Sequence, residues 1–161
     1  MARCDTACEP ESEPLSLRET MRTLNIRNGQ GRLLYSALEQ SKVFGALRSE
    51  LLEDLVEICD VVSLKKGEYL FREGDVSNGF YIVHRGAIRL HKVSREGSKQ
   101  VLKIFKDRES FGESTVVSLS CYPADAYADC PTILARVDKM GVQRLGRTSE
   151  ALRQCLSSSL V

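Results

Sequence analysis

The sequence predicts a mainly β fold with flanking helices, in which short antiparallel strands close into a β-roll of the jelly-roll (double-stranded β-helix) type. Two observations carry this prediction. Runs of β-branched and aromatic residues recur at short intervals over residues 61–137, and glycines or polar turns separate them. Apolar residues spaced three and four apart precede and follow this region, which indicates amphipathic helices. A chain of 161 residues suffices for one core of ordinary size, so we expect one folded domain, over residues 18–161.

The amino-terminal segment is predicted to be a disordered tail over residues 1–17. It is rich in Glu, Ser and Pro and poor in large apolar groups, so that ordering it would not recover the lost conformational entropy. A weak helix is predicted around residues 15–24 and a firmer one around residues 33–40. Gly29 and Gly31 are expected to separate these two helices.

Two amphipathic helices flank the predicted strands. Ser49 is expected to cap the first, over residues 50–59. Its apolar face consists of Leu51, Leu52, Leu55, Val56 and Cys59. Thr148 or Ser149 is expected to cap the second, a carboxyl-terminal helix. Its stripe consists of Ala151, Leu152, Cys155, Leu156 and Leu160.

The strands of the roll are predicted from short runs of β-branched and aromatic residues and from the turn residues that end each run. Five are predicted over residues 61–64, 68–71, 80–83, 87–93 and 99–105, and a further pair is predicted around residues 124–128 and 132–137. The turns between them contain Gly67, Gly74, Gly86 and Gly97. Each glycine can supply the positive φ that a tight turn needs, so short antiparallel strands are expected.

Charge and targeting signals exclude several classes of protein. The formal net charge is +1, which gives no electrostatic argument for nucleic acid or an anionic membrane as a partner. Acidic residues (Asp5, Glu9, Glu11 and Glu13) occupy the place of an apolar signal-peptide segment, and no apolar run is long enough to span a bilayer. We therefore expect a cytoplasmic protein with no membrane partner, whose six cysteines are reduced thiols.

Three stretches of the sequence carry a resemblance to a known family. They are residues 64–75 (LKKGEYLFREGD), residues 80–90 (FYIVHRGAIRL) and the cassette FGES at residues 111–114. Together they resemble the cyclic-nucleotide-binding (effector) domain of the CRP/FNR transcription regulators, from about residue 38 to residue 156. The resemblance implies an eight-stranded β-roll that senses a small ligand and relays its presence through a long carboxyl-terminal dimer helix. Only the start of that helix is expected within this sequence.

The resemblance also implies a ligand-binding set. Its members are Phe111, Gly112, Glu113, Ser114, Pro123, Ala124 and Asp125. The backbone N–H groups of Gly112 and Ser114 could point at an anion, because glycine lets the backbone approach closely and a helix start adds a favourable dipole. Glu113 would accept hydrogen bonds from a ribose hydroxyl. The alternative is that Gly112 only turns the chain and Glu113 is a solvated carboxylate.

One departure from the family pattern argues against cyclic nucleotides. Nucleotide-binding members place an arginine shortly after the cassette, in a Pro-Arg-Ser/Thr-Ala context, to pair with the cyclic phosphate. Residues 121–126 read CYPADA, and no Lys or Arg occurs over residues 109–135. Losing one partner of a desolvated charge pair costs about 2–5 kcal/mol, so tight nucleotide binding is disfavoured. The loop is more similar to the redox- and nitric-oxide-responsive branches, and we expect no cation, such as Arg136, opposite the cassette.

The cysteines do not favour a cofactor. Cys4 and Cys8 invite comparison with the iron–sulfur branch of the family, but a cluster needs four thiolates within reach of one point. Cys59 is predicted to be a core residue. Cys121 and Cys130 could meet across the last hairpin as a redox pair or metal site, and plain thiols are the favoured alternative.

Neither haem nor catalysis is supported by a motif. His84 and His91 are the only histidines, neither lies beside a haem-binding motif, and both are expected on exposed strand faces. Two histidines also do not supply a cupin-type metal set. Because no Walker loop or nucleophile elbow occurs, no catalytic residue is predicted, and the chain is not expected to be an enzyme.

Three functional hypotheses remain at this point. Family members that act on DNA carry a helix-turn-helix after the dimer helix, whereas these residues contain none, so direct DNA binding is not expected. The first hypothesis is a non-catalytic sensor of a small-molecule effector, acting as a homodimer or with a full-length relative. The second is a cyclic-nucleotide-binding regulatory module acting on a protein partner, and the third is a degenerate domain without a ligand. The missing arginine favours the first over the second.

Overall fold

The computed structural model describes residues 28–159. The tail predicted over residues 1–17 and the helix predicted over residues 15–24 lie outside these residues. Within the described range the chain forms five helices and eight strands. In chain order they are α1 (Gly29–Gln40), α2 (Ser49–Glu57), β1 (Cys59–Leu64), β2 (Tyr69–Phe71), β3 (Gly79–Arg85), β4 (Ala87–Val93), β5 (Lys99–Lys106), β6 (Ser110–Phe111), α3 (Ser114–Val117), β7 (Asp125–Ala128), β8 (Thr132–Asp138), α4 (Lys139–Thr148) and α5 (Glu150–Ser159). None of the described helices combines the length and hydropathy that crossing a bilayer requires.

The strands form the predicted roll from two four-stranded sheets. One sheet has the order β1-β8-β3-β6 and the other has the order β2-β7-β4-β5. Every strand pair is antiparallel. A core of buried apolar side chains has members from both sheets, among them Phe71, Val83, Ile88, Phe105 and Leu134. The predicted fold class is therefore confirmed.

A second core joins the helices to the other face of the β1-β8-β3-β6 sheet. In β3, Tyr81 and Val83 belong to the core of the roll, whereas Phe80 and Ile82 pack with the helices. Because successive side chains of a strand point to opposite faces, this sheet is buried on both sides. Residues 80–83 are accordingly an uninterrupted apolar run, which is typical of a strand covered on both faces.

Helix α1 begins earlier than predicted. Gly29 and Gly31, which were expected to separate two helices, lie in its first turn. The side chain of Asn28 accepts a hydrogen bond from the N–H of Gly31 at 2.6 Å, and this cap offsets the poor helix propensity of glycine. Helix α2 likewise begins at Ser49, with Arg48 at the N-cap position, so Ser49 is not its cap.

Helix α4 was not predicted, because Gly141 and Gly146 weaken its helical pattern. The structure gives a reason for the first glycine. A Cβ atom at Gly141 would lie 2.8 Å from side-chain atoms of Ile58, so glycine allows α4 to pack closely against this residue. Asp138 caps the helix, because its carboxylate accepts a hydrogen bond from the N–H of Gly141 at 2.9 Å.

Helix α5 has the cap and part of the stripe that its sequence predicts. Ala151 of the stripe is exposed, and Leu160 lies outside the described residues. The N–H of Leu152 donates a hydrogen bond to Oγ of Ser149 at 3.2 Å. Leu152 and Leu156 are buried in the core beneath the helices, and Cys155 packs against that core. The apolar side of α5 therefore faces the domain.

Candidate ligand-binding site

The cassette at residues 111–114 lies where β6 ends and α3 begins. Strand β6 pairs with β3, and Phe111 stands opposite Tyr81. The Phe111 ring packs against Phe105, with 5.1 Å between the ring centroids. Gly112 has φ +87°, which favours glycine and turns the chain from the strand into the helix. Because β6 and α3 are so short, no periodicity could reveal them, although the cassette itself was recognisable.

A cavity of about 280 Å³ opens beside the cassette. Six of the seven predicted ligand-binding residues line it: Phe111, Gly112, Glu113, Ser114, Pro123 and Ala124. Most of the remaining wall is apolar and comes from Phe71, Leu90, Phe105 and Tyr122. The predicted set is thus brought together around one concave, mixed apolar and polar space, which is typical of small-molecule sites.

Asp125 is the predicted site residue that does not line this cavity. Side chains alternate along β7, so Ala126 belongs to the core of the roll and Asp125 points to the other face of the sheet. The Asp125 carboxylate accepts a hydrogen bond from the N–H of Glu73 at 2.6 Å. It also lies 3.3 Å from Nε2 of His91 and 3.8 Å from the guanidinium of Arg72. Asp125 therefore stabilises the outer face of the roll.

His91 is buried, which corrects the expectation that it lies on an exposed strand face. Only 1% of its surface is exposed. The rings of Tyr69 and Tyr127 pack edge-on against it, at centroid distances of 6.0 and 5.2 Å. His84 is half-buried. The part of the chain that the structure describes holds no group of three or more His, Cys, Asp or Glu side chains placed to bind a metal ion. The absence of haem remains a prediction.

The cysteines of the described residues form no covalent cross-link with one another. Cys59 is buried in the core as predicted, although it begins β1 and does not end a helix. Cys121 and Cys130 are half-buried free thiols, and the four described cysteines form no disulfide with one another. Cys4 and Cys8 lie outside the described residues. The prediction that no iron–sulfur cluster is bound therefore stays untested.

Glu113 is a buried carboxylate at the cavity wall. Its exposed fraction is 7%, so the alternative of a solvated carboxylate is wrong. The hydroxyl of Ser110 donates a hydrogen bond to Oε1 of Glu113. Burial raises the pKa of the Glu113 carboxyl, while hydrogen bonds from the Ser110 hydroxyl and from the residue's own backbone N–H, together with the positive charge of Lys103, oppose this rise. A carboxylate has room for about four hydrogen bonds, so Glu113 retains acceptor capacity towards the cavity.

The cavity does contain a cation, contrary to expectation. Arg136 does not line it, because its guanidinium pairs with Asp60 and lies 3.7 Å from Asp138. Lys103 on β5 lines the cavity instead, with Nζ 4.7 Å from the centroid of the Phe105 ring. Lys103 precedes the cassette in the sequence, so the lack of Lys and Arg after the cassette gave no sign of it.

A larger groove of about 750 Å³ adjoins the cavity. The two spaces share Lys103, Phe105, Ser110, Glu113 and Ser159 in their walls. Ser159 is the last residue of α5, and Ala151 and Cys155 of the same helix also line the groove. A molecule in the cavity would therefore lie close to the end of α5.

Comparison with known proteins identifies the family. The family model described as the cyclic nucleotide-binding domain matches residues 61–149, which is more than half of the chain. The chain belongs to the cyclic nucleotide-binding domain family. The predicted resemblance is thereby confirmed.

Two of the curated relatives are a kinase regulatory subunit and a transcriptional activator. The chain is 26% identical over 155 residues to the cAMP-dependent protein kinase regulatory subunit of Emericella nidulans, covering 94% of this chain and 37% of that protein. It is 32% identical over 101 residues to the transcriptional activator protein Anr of Pseudomonas protegens, covering 57% of this chain and 41% of that protein. The chain thus spans about two fifths of the length of these relatives.

A solved structure extends the likeness to the sensor domain of a transcriptional regulator. The sensor domain of the transcriptional regulator DNR from Pseudomonas aeruginosa superimposes with a TM-score of 0.70 and 25% sequence identity. The match covers 87% of this chain and 88% of that chain. The extent of this match agrees with a domain that consists of the roll and the helices that flank it.

Tyr122 is a cavity residue of this cyclic nucleotide-binding domain that the sequence argument did not select. Its ring stacks on Phe71 with 3.7 Å between centroids, and its hydroxyl donates a hydrogen bond to the carbonyl of Gly79 at 2.7 Å. Pro123 and Ala124 follow it along the cavity wall. Apolar groups therefore occupy the loop in which nucleotide-binding members are expected to carry an arginine.

Proposed function

We propose that this cyclic nucleotide-binding domain is a non-catalytic sensor that binds a small effector in the 280 Å³ cavity. The observation that carries the proposal is Glu113, a buried carboxylate at the cavity wall whose one side-chain hydrogen-bond donor, among the described residues, is Ser110. Burying a charge with few partners is costly. A ligand that donates a hydrogen bond to Glu113 would supply a missing partner, which supports a binding role for this wall.

The effector would act through helix α5. Ser159 borders both the cavity and the groove, so a bound molecule would change the surroundings of this end of the helix. The same proposal includes a cytoplasmic location and no direct contact with DNA or a membrane. The pairing partner would be a second copy of the chain or a full-length relative. The likeness to the DNR sensor domain supports it.

The test is a thermal-shift screen of small effectors against three proteins. They are the wild type, Glu113→Gln and the matched control Glu96→Gln, whose carboxylate is exposed in the turn after β4. We expect an effector to raise the unfolding temperature of the wild type and of Glu96→Gln, and to lose most of this effect in Glu113→Gln. If no compound stabilises the wild type, the sensor proposal fails and the domain without a ligand is favoured.

A second candidate function is a cyclic-nucleotide-binding regulatory module that acts on a protein partner. The likeness to a cAMP-dependent kinase regulatory subunit over 94% of this chain favours it. The loop over residues 115–135, which holds no Lys or Arg, argues against it. Calorimetric titration with cyclic AMP and cyclic GMP distinguishes the two functions. Micromolar or tighter binding would support the second, and much weaker binding would support the first.

A further inference from the structure

We infer that the cavity takes a small organic anion whose acidic group binds Lys103, so that β5 supplies the cation that the loop after the cassette lacks. This inference rests on the proposed sensor function and adds the chemical class of the effector. It assigns a ligand contact to a residue outside the predicted ligand-binding set.

The direction of the Lys103 side chain follows from the strand that carries it. Lys103 and Phe105 lie two residues apart on β5, so both side chains face the same side of the sheet. Phe105 is buried in the core of the roll, and its ring lies 4.7 Å from the Lys103 ammonium. Across the hairpin, Lys103 stands opposite Leu90, another cavity residue. Lys103 is exposed, and a cation–π contact places its ammonium beside the cavity.

Lys103 differs from Lys42 and Lys92 in its acidic neighbours. Its charge acts on Glu109 and Glu113 from beyond ion-pair distance. Lys42 pairs with Glu109 at 3.4 Å, and Lys92 pairs with Glu73 at 3.5 Å. No carboxylate within residues 28–159 forms an ion pair with Lys103. It is also the only Lys or Arg that lines the 280 Å³ cavity within the described chain. The ammonium is therefore available to an anion that enters the cavity.

The chemistry of the walls defines the ligand more closely. Lys103 offers a positive charge, and Glu113 offers an acceptor for a hydroxyl or N–H donor. The aromatic rings of Phe71, Phe105 and Phe111 offer an apolar surface between them. A phosphate or carboxylate on a small ring-bearing molecule that also carries a hydrogen-bond donor fits all three features.

The first experiment compares anions with uncharged relatives. Calorimetry on the full chain uses two matched pairs of probes, adenosine monophosphate with adenosine and para-hydroxybenzoate with para-hydroxybenzyl alcohol. The pairs separate a phosphate from a carboxylate as the acidic group. We expect Lys103→Met to weaken binding of the preferred anion by about ten- to a hundred-fold, because a charge-assisted hydrogen bond is lost. Lys103→Arg should retain most of the affinity, and the uncharged relative should bind all variants alike.

The control variant is Lys99→Met, which removes a lysine on the same strand that does not line the cavity. It should bind the anion like the wild type. If Lys103→Met binds the anion as tightly as the wild type, or loses the uncharged relative to the same extent, the inference is overturned and the sensor proposal stands. If only uncharged probes bind, the inference is likewise overturned. If none of the probes binds, the inference is overturned, and the thermal-shift screen alone decides the sensor proposal.

The second experiment needs no ligand. The positive charge of Lys103 opposes the rise in the pKa of Glu113, so the Glu113 carboxyl should titrate at higher pH in Lys103→Met than in the wild type. Carbon NMR of the side-chain carboxyl measures this titration. Identical titrations in the two proteins would mean that the ammonium does not face the cavity, which would overturn the inference independently of any probe.

Discussion

Glu113 and Asp125 are buried to nearly the same extent, with 7% and 9% of their surfaces exposed, yet their surroundings differ. Asp125 lies on the outer face of the roll among an N–H donor, a histidine and an arginine. Glu113 lies at the cavity, and its side-chain donor is the Ser110 hydroxyl. Burial alone therefore does not distinguish a carboxylate that the fold uses from one that is proposed to bind a ligand. The unused acceptor capacity of Glu113, and the cavity beside it, are what distinguish it from Asp125.

The largest effect is expected when each of the two acidic side chains is replaced by alanine. Asp125→Ala should lower the free energy of unfolding by about 3 kcal/mol, because it leaves the N–H of Glu73 and the ring of His91 without their acidic partner. Glu113→Ala should cost about 1 kcal/mol or less, since it also removes a sparsely partnered buried carboxylate. Urea unfolding at neutral pH measures both. Equal losses would contradict the division into a structural and a ligand-binding acid.

A smaller effect is expected from the one hydroxyl that Glu113 contacts. Ser110→Ala should lower the free energy of unfolding by about 1 kcal/mol and raise the pKa of the Glu113 carboxyl further, because the hydrogen bond favours the charged form. Urea unfolding and carbon NMR of the carboxyl measure the two changes. Ser63→Ala, at an exposed position of β1, is the control and should change neither. An unchanged Glu113 titration in Ser110→Ala would show that other groups hold this carboxylate.

The smallest effect concerns pH. Because burial raises the pKa of Glu113, the folded protein binds this proton more tightly than the unfolded chain does. The resulting stabilisation is present below the unfolded pKa and is lost as the pH rises through the folded pKa. The stability of the wild type relative to Glu113→Gln should therefore fall as the pH rises above about 4, the ordinary pKa of an unfolded glutamate. Urea unfolding across this rise in pH, with Glu96→Gln as control, measures it. A rise instead would mean that the folded state favours the carboxylate.

The parts of the fold that the sequence predicts are those that depend on local geometry. Turn glycines at four predicted positions, Gly67, Gly74, Gly86 and Gly97, all adopt positive φ, and the strands between them were predicted to within a few residues. The cap of α5 was also predicted. Helix α4 could not be, since its glycine at position 141 makes sense only beside Ile58, a residue far away in the sequence.

The candidate site also combines residues that a local motif predicts with residues that only the folded chain brings together. The cassette is a local motif, and its four residues line the cavity as a group. Lys103 reaches that cavity only because β5 pairs with β4 and closes over the cassette, a long-range arrangement that no spacing in the sequence reveals. The burial of His91 similarly requires Tyr69 and Tyr127 from two other strands.

Two strands of the roll, β3 and β5, should differ in how readily they open. Strand β3 lies between two neighbours and is covered on both faces, so its amide hydrogens should exchange with solvent only when the whole domain unfolds. Strand β5, at a sheet edge with Val101 and Leu102 exposed, should exchange by brief local opening. A ligand held against Lys103 and Phe105 should therefore slow amide exchange in β5 and leave exchange in β3 unchanged.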